Sequence, residues 1–186
     1  MNIFFDTEFT GLHKNTTLIS IGLISETGKT FYAEFTDYSR VQIDDWIQRN
    51  VIDNLKFKEL EPFLNTRDGN VEAKGTKQYI SKYLREWLES FDQPVQLVSD
   101  VCHYDMVLFI DLFGSAFDLP QNVNPACHDI NQDIARYFNI QESKAFDLSR
   151  EEILDNFEVN IEGDKHNSLY DAKVIRAIYN EIIEHE

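Results

Sequence analysis

The chain begins MNIFFDTEFTGL, and Asp6 and Glu8, separated by a single threonine, break a hydrophobic run. In an extended strand, residues two apart point to the same face. The two carboxylates therefore lie side by side, while Phe5 and Thr7 face the other way. Like charges so close persist when a positive group sits between them, when they share one proton, or when the strand ends in water. A solvated strand end leading into a turn at Thr10-Gly11 meets the last condition, so this stretch alone does not choose among the three.

The surrounding pattern predicts a mixed α/β domain. Asn2 to Phe5 reads as a strand, Thr17 to Ser25 (TLISIGLIS) as a buried one, and Lys29 to Phe35 as its hairpin partner across a short Gly-containing link. Helical spacing of apolar residues predicts helices over Ile43 to Leu55 and Thr76 to Phe91, with a polar loop from Glu59 to Gly75 between them. Val95 to Ser99 follows a helix and so joins the sheet parallel to the first strand. Further helices are expected over Tyr104 to Phe113, Asp129 to Phe138, Ser149 to Phe157 and Ser168 to Ile183, with a Pro-containing loop over Leu119 to Pro125. The whole of residues 1–186 is expected to form one domain.

The net charge of −16 opposes a nucleic-acid partner at first, since phosphate binding usually leaves a basic footprint. The charge is uneven, however: residues 40–85 carry 9 basic and 7 acidic groups, whereas residues 86–186 carry 6 and 21. No run approaches the ~18 apolar residues of a membrane helix, and Asp6 comes too early for a signal peptide. The expectation is a cytoplasmic protein without a membrane partner. Cys102 and Cys127 are too few for a disulfide framework and are expected to be small buried residues.

If the first and fourth strands are neighbours, a site forms at their carboxyl ends. Asp105 opens a helix just beyond the fourth strand, behind Tyr104, and near the C-terminus HNSLYD sets His166 five residues before Asp171. Each acid has an ordinary explanation alone, as dipole compensation in a first helical turn or as an exposed helix residue. Asp6, Glu8, Asp105, Asp171 and His166 in this order make a set that no single member does.

That set, in the motifs FFDTEFTGL, the YD of VCHYDMVLF and HNSLYD, resembles the DEDDh 3′-to-5′ exonucleases, whose fold is RNase H-like. The meander after the first motif and a closing helix carrying the third extend the resemblance over essentially the whole chain. His128 to Asp133 (HDINQD) has the same His-x4-Asp spacing but does not sit on the closing helix, where the family places its third motif. DWIQRNVIDNL and YDMVLFIDLFG are similar to segments of a compact bacterial exoribonuclease group within that superfamily. One position departs: many DEDD enzymes have asparagine four residues before the second-motif aspartate, and here Val101 stands there.

The resemblance implies an RNase H-like mixed sheet, with an antiparallel meander and parallel strands flanked by helices. It implies hydrolysis from a nucleic-acid 3′ end, RNA ahead of DNA, releasing nucleoside 5′-monophosphates. Two divalent ions, Mg²⁺ or Mn²⁺, would be held by Asp6, Glu8, Asp105 and Asp171, with His166 as general base. Thr7, Phe9, Leu12 and Tyr104 are the implied substrate contacts, with Arg49 and Asn50 as further candidates. A homodimer is one assembly state that it suggests. Competing readings are a DNA exonuclease, an oligoribonuclease-like enzyme and a non-catalytic binding module, the last of which predicts a lost acid or histidine. An aspartic protease would need Gly where Glu8 stands.

Overall fold

TLISIGLIS becomes β2 (Leu18–Ser25), and every residue of that strand is buried. The computed structural model describes residues 1–59 and 61–185; Leu60, inside the segment expected to be loop, and residue 186 lie outside the described residues. β2 is covered on both faces because it pairs antiparallel with β1 (Asn2–Phe9) and β3 (Thr30–Phe35) in the middle of one sheet with helices on either side. The remaining strands are β4 (Phe63–Arg67), β5 (Asn70–Gly75), β6 (Val95–Ser99) and β7 (Val123–Asp129). The sheet order is β4-β5-β3-β2-β1-β6-β7, with β6 parallel to β1 as the sequence predicts.

Side-chain alternation along β1 sorts the core into two layers. Ile3 and Phe5 pack with α2 (Lys77–Glu89) and α3 (His103–Phe113), while Phe4 packs with α4 (Asn131–Tyr137) and α7 (Ser168–His185). α2 forms because Ile80, Leu84, Trp87 and Leu88 recur at helical spacing on its buried face and the Thr76 hydroxyl accepts the Tyr79 N–H at its start. Burying each such large side chain stabilises the fold by about 1.5–3 kcal/mol. The same alternation sends Asp6 and Glu8 to the α7 side.

Several elements differ from the sequence expectation. β1 runs on to Phe9, so Asp6 and Glu8 lie within the ladder, opposite Gly22 and Ser20. Much of the expected loop at 59–75 is the β4–β5 hairpin, turned at Asp68-Gly69 with φ of +54° and +80°, the left-handed pair a tight hairpin demands. β4 is largely exposed, so it carries no apolar alternation to betray it. The helix expected over 43–55 is confined to α1 (Asp45–Asn50), followed by a 3₁₀ turn. The last three residues of the Pro-containing loop, Val123 to Pro125, and the first residue of the next expected helix belong instead to β7, a polar edge strand that tolerates Pro125. A short α5 (Glu142–Asp147) precedes α6 (Arg150–Asn156), and Ser149 caps α6 by accepting the Glu152 N–H. Cys102 and Cys127 touch one another and are only partly buried, because β7 lies at the sheet edge. Among the described residues no helix is long and apolar enough to cross a membrane.

Candidate active site

A cavity of about 680 Å³ opens at the carboxyl ends of β1 and β6, and Asp6, Glu8, Asp105, His166 and Asp171 all line it. Asp171 gets there through a close approach of α7 to β2. Gly22 faces the start of α7, where a Cβ would stand 2.2 Å from the Leu169 nitrogen, so only glycine fits. Beside it, the buried Ser20 and Ser168 hydroxyls hydrogen-bond at 3.0 Å. The Asn167 side chain accepts the Tyr170 N–H and its amide lies 3.5 Å from the Tyr32 hydroxyl, which donates to the buried Glu34. The helix is thus capped and tied to the sheet where Asp171 leaves its first turn.

The result is one carboxylate oxygen each from Asp6, Glu8 and Asp171, all within 4.8 Å of one another. Asp105 stands beside this trio but is held differently. Its Oδ1 accepts the Thr7 N–H at 3.0 Å and the Thr7 hydroxyl at 2.5 Å, and its Oδ2 accepts the Ser99 hydroxyl at 3.3 Å. Thr7, expected to touch substrate, is itself buried and spends both donors on Asp105.

Protonation records the strain of this arrangement. Burial, and then the charges of Asp105, Asp171 and Glu8, drive the Asp6 carboxyl well above its usual range. Burial followed by Asp171 and Asp105 pushes Glu8 up to about 8. Burial also raises Asp171 to about 7, against a lowering hydrogen bond from the His166 N–H, and Asp105 to about 6, against the Thr7 and Ser99 hydrogen bonds. Buried carboxylates that resist ionisation in this way, with no lysine or arginine paired to Asp6, Glu8 or Asp171 among the described residues, are a donor set that fits hard divalent cations. The first of the three conditions, a positive group between the acids, is the one this geometry favours.

His166 sits at the mouth with φ +64°; its N–H donates to Asp171 Oδ2 at 3.0 Å and its Nδ1 lies 4.0 Å from Glu8 Oε1. Its ring meets Trp46 edge to face, with centroids 5.0 Å apart. Burial first and Lys165 second lower its pKa from the usual 6.5, favouring the neutral imidazole. The other histidine with the same spacing, His128, bonds Asp133 and lies outside the cavity lining.

Phe9 and Tyr104 stack with centroids 5.4 Å apart on the cavity wall, and Leu12 projects there 78% exposed. Arg49 and Asn50 are not brought to the cavity: each bonds a backbone carbonyl of its own helix, at Asp45 and Trp46, and the residues that α1 and its cap present instead are Asp44, Trp46 and Ile47. Sequence reasoning also missed Arg150. Its guanidinium grips Asp100 with two hydrogen bonds of 2.6 and 2.8 Å, reaches Asn131 and binds the carbonyls of Ala145 and Leu148, which spends all five donors bracing the cavity rim. The 50 residues between Arg150 and Asp100 leave no local signal of that pairing.

Comparison with known proteins agrees with this geometry. Residues 1–183 match the sequence model of the 3′-5′ exoribonuclease Rv2179c-like domain. The 3′-5′ exoribonuclease Rv2179c of Mycobacterium tuberculosis (strain ATCC 25618 / H37Rv) is 25% identical over 132 residues, covering 71% of this chain and 73% of that protein. Among solved structures, the nuclease domain of 3′hExo, a DEDDh family member bound to rAMP, superposes with a TM-score of 0.65 at 16% identity over 99% of this chain and 92% of that one. Pop2p of S. pombe, in a Mg²⁺- and Mn²⁺-bound form, gives a TM-score of 0.61 at 17% identity over 97% of this chain and 82% of its own. The fold is therefore the RNase H-like fold of the DEDDh nucleases.

Proposed function

Because the chain belongs to the Rv2179c-like 3′-5′ exoribonuclease domain family, we propose that it removes nucleotides from RNA 3′ ends by two-metal hydrolysis with His166 as general base. The observation that carries this reading is the trio of carboxylate oxygens from Asp6, Glu8 and Asp171 within 4.8 Å, beside a histidine tied to the same acids. Those three residues, with Asp105, would hold two divalent ions, Mg²⁺ or Mn²⁺. When bound, the ions supply positive charge to the phosphoryl oxygens and make the attacking water more acidic.

The chain's own residues do the rest. Asp6 and Glu8 are fixed by the β1–β2 ladder, and Asp171 by the capped start of α7, so the donor set needs no rearrangement to form. Thr7 and Ser99 orient Asp105. His166, kept neutral by burial, accepts the proton of the attacking water as the phosphodiester opens and a nucleoside 5′-monophosphate leaves. Leu12 and the Phe9–Tyr104 stack form the wall for the terminal nucleotide.

RNA ahead of DNA is supported by the activity named for the mycobacterial relative and by the rAMP in the 3′hExo neighbour. Action in the cytoplasm, as one domain over the whole chain, is part of the same reading. The homodimer suggested by the resemblance finds no support in these comparisons. The test is a panel of 5′-labelled RNA and DNA strands with Mg²⁺, Mn²⁺ or EDTA, beside the Asp6→Asn variant. A metal-dependent 3′ ladder that is faster on RNA and absent in the variant is expected. An EDTA-resistant ladder, or an active variant, overturns the mechanism.

A further inference from the structure

The cavity holds features that the chemistry above does not use. Trp46 and Phe146 are 51% and 58% exposed, come from two separate segments, and both line it. Phe9 and Tyr104 cover one another by stacking, whereas Phe146 has no ring partner among the described residues. Large apolar side chains left in water around a concave site mark where a ligand supplies the missing contact. Phe146 also borders a second hollow of about 350 Å³, and like Val101 it lines both that hollow and the active cavity.

The electrostatics of the same wall say what it cannot hold. Arg150 and Lys165 are the only lysine or arginine side chains on the cavity lining among the described residues. Arg150 is committed to Asp100, and Lys165 to Glu151 at 2.9 Å. On a chain of net charge −16, no free cation on that wall is left to track successive phosphates. Beyond the metal-bound phosphate, binding energy must come from the bases. An unpaired base offers a flat face on which a ring can stack. A paired duplex end keeps its faces stacked internally.

Resting on the nuclease reading of this cavity, we propose that Phe146, with Trp46, is the stacking platform for the base next to the 3′-terminal nucleotide. The enzyme thereby grips two unpaired nucleotides rather than an extended backbone. On this platform an RNA 3′ end is held by its free bases and bound with little dependence on salt.

Steady-state kinetics of wild type, Phe146→Ala, Phe146→Leu and Phe146→Trp test this on three substrates with Mg²⁺. These are a single-stranded RNA 12-mer, the same strand in a blunt duplex, and the p-nitrophenyl ester of uridine 5′-monophosphate, which has only one base. The Ala and Leu variants should raise KM for the single strand about tenfold, with a much smaller change in kcat, and Phe146→Trp should restore it. Their KM for the one-base ester should rise far less. The wild-type KM should climb with salt at a log–log slope below about 2, since each single-strand phosphate contact contributes ~0.7. An unchanged KM in Phe146→Leu, an equal rise on the ester, or a slope of about 4 overturns the platform while leaving the nuclease intact. A wild type that cleaves neither RNA nor ester with Mg²⁺ or Mn²⁺ overturns the nuclease reading and the platform with it.

Discussion

Replacing one acid of the cluster by its neutral isostere should stabilise the metal-free protein while destroying its activity, and Glu8→Gln is the cleanest case. In the folded chain burial, then Asp171 and Asp105, move the Glu8 carboxyl from its usual 4.5 to about 8. Below about pH 4.5 it is protonated in both folded and unfolded states and costs nothing. Between pH 4.5 and 8 the unfolded chain has released a proton that the folded chain retains. Stability therefore falls as pH rises, by up to ~1.4 kcal/mol per pH unit, and levels off above about 8. At pH 7.5 the full penalty is about 4 kcal/mol. Because the acids repel one another and titrate together, and the cavity admits counter-ions, about 2 kcal/mol of it should be recovered by neutralising one member. For a chain of this length that corresponds to roughly 4–8 °C. Calorimetric melting in EDTA at pH 7.5 should place Glu8→Gln above wild type by that margin, and the gap should close as pH falls to 4.5. Millimolar Mg²⁺ should raise the wild type and leave the variant nearly unmoved, and RNA hydrolysis by the variant should fall by about 100-fold or more. Equal melting temperatures in EDTA at pH 7.5, or a gap that persists at pH 4.5, would refute the claim that the cluster stores repulsion for a cation to relieve.

Three further perturbations follow from the geometry. His166→Ala should slow turnover by ~100-fold or more. Because burial lowers the His166 pKa, the wild-type rate at saturating Mg²⁺ should show an acid limb below pH 6.5, as the imidazole protonates, and the variant's pH–rate profile should lack that limb. Gly22→Ala places a methyl 2.2 Å from the Leu169 nitrogen, so it should cost about 3 kcal/mol and displace Asp171; denaturant unfolding and metal-induced stabilisation, both reduced, would report it. Val101, a β-branched residue at φ +56° on the cavity wall, is strained, and Val101→Asn should stabilise by about 1 kcal/mol; a melting temperature at or below wild type would contradict that.

The meander, α2, the parallel β6 and the closing α7 were legible because their own residues carry the pattern: buried runs, helical spacing and capping side chains. β4 and β7 were not, because an exposed or edge strand owes its extended form to its neighbour's hydrogen bonds rather than to its own apolar alternation. Asp68-Gly69 was the one local clue to the β4–β5 hairpin. Likewise the order of Asp6, Glu8, Asp105, His166 and Asp171 could be read from the chain, while Phe146 and Arg150 could not, and Trp46 could be read only as part of DWIQRNVIDNL and not as a residue lining the cavity. An exposed ring has no pattern until a cavity surrounds it, and a salt bridge across 50 residues has none until the chain closes.

The sequence by itself determined which groups exist and which share an element: two acids on one strand face, one acid opening a helix, and a histidine one turn ahead of another acid. Only the tertiary structure decided their distances and protonation. Those depend on Gly22 admitting α7 against β2, on Thr7 and Ser99 holding Asp105, and on burial that leaves Asp6 and Glu8 with no lysine or arginine paired to them among the described residues. The physical reason is that repulsion and desolvation scale with separation and solvent access, which come from packing between segments far apart in the chain.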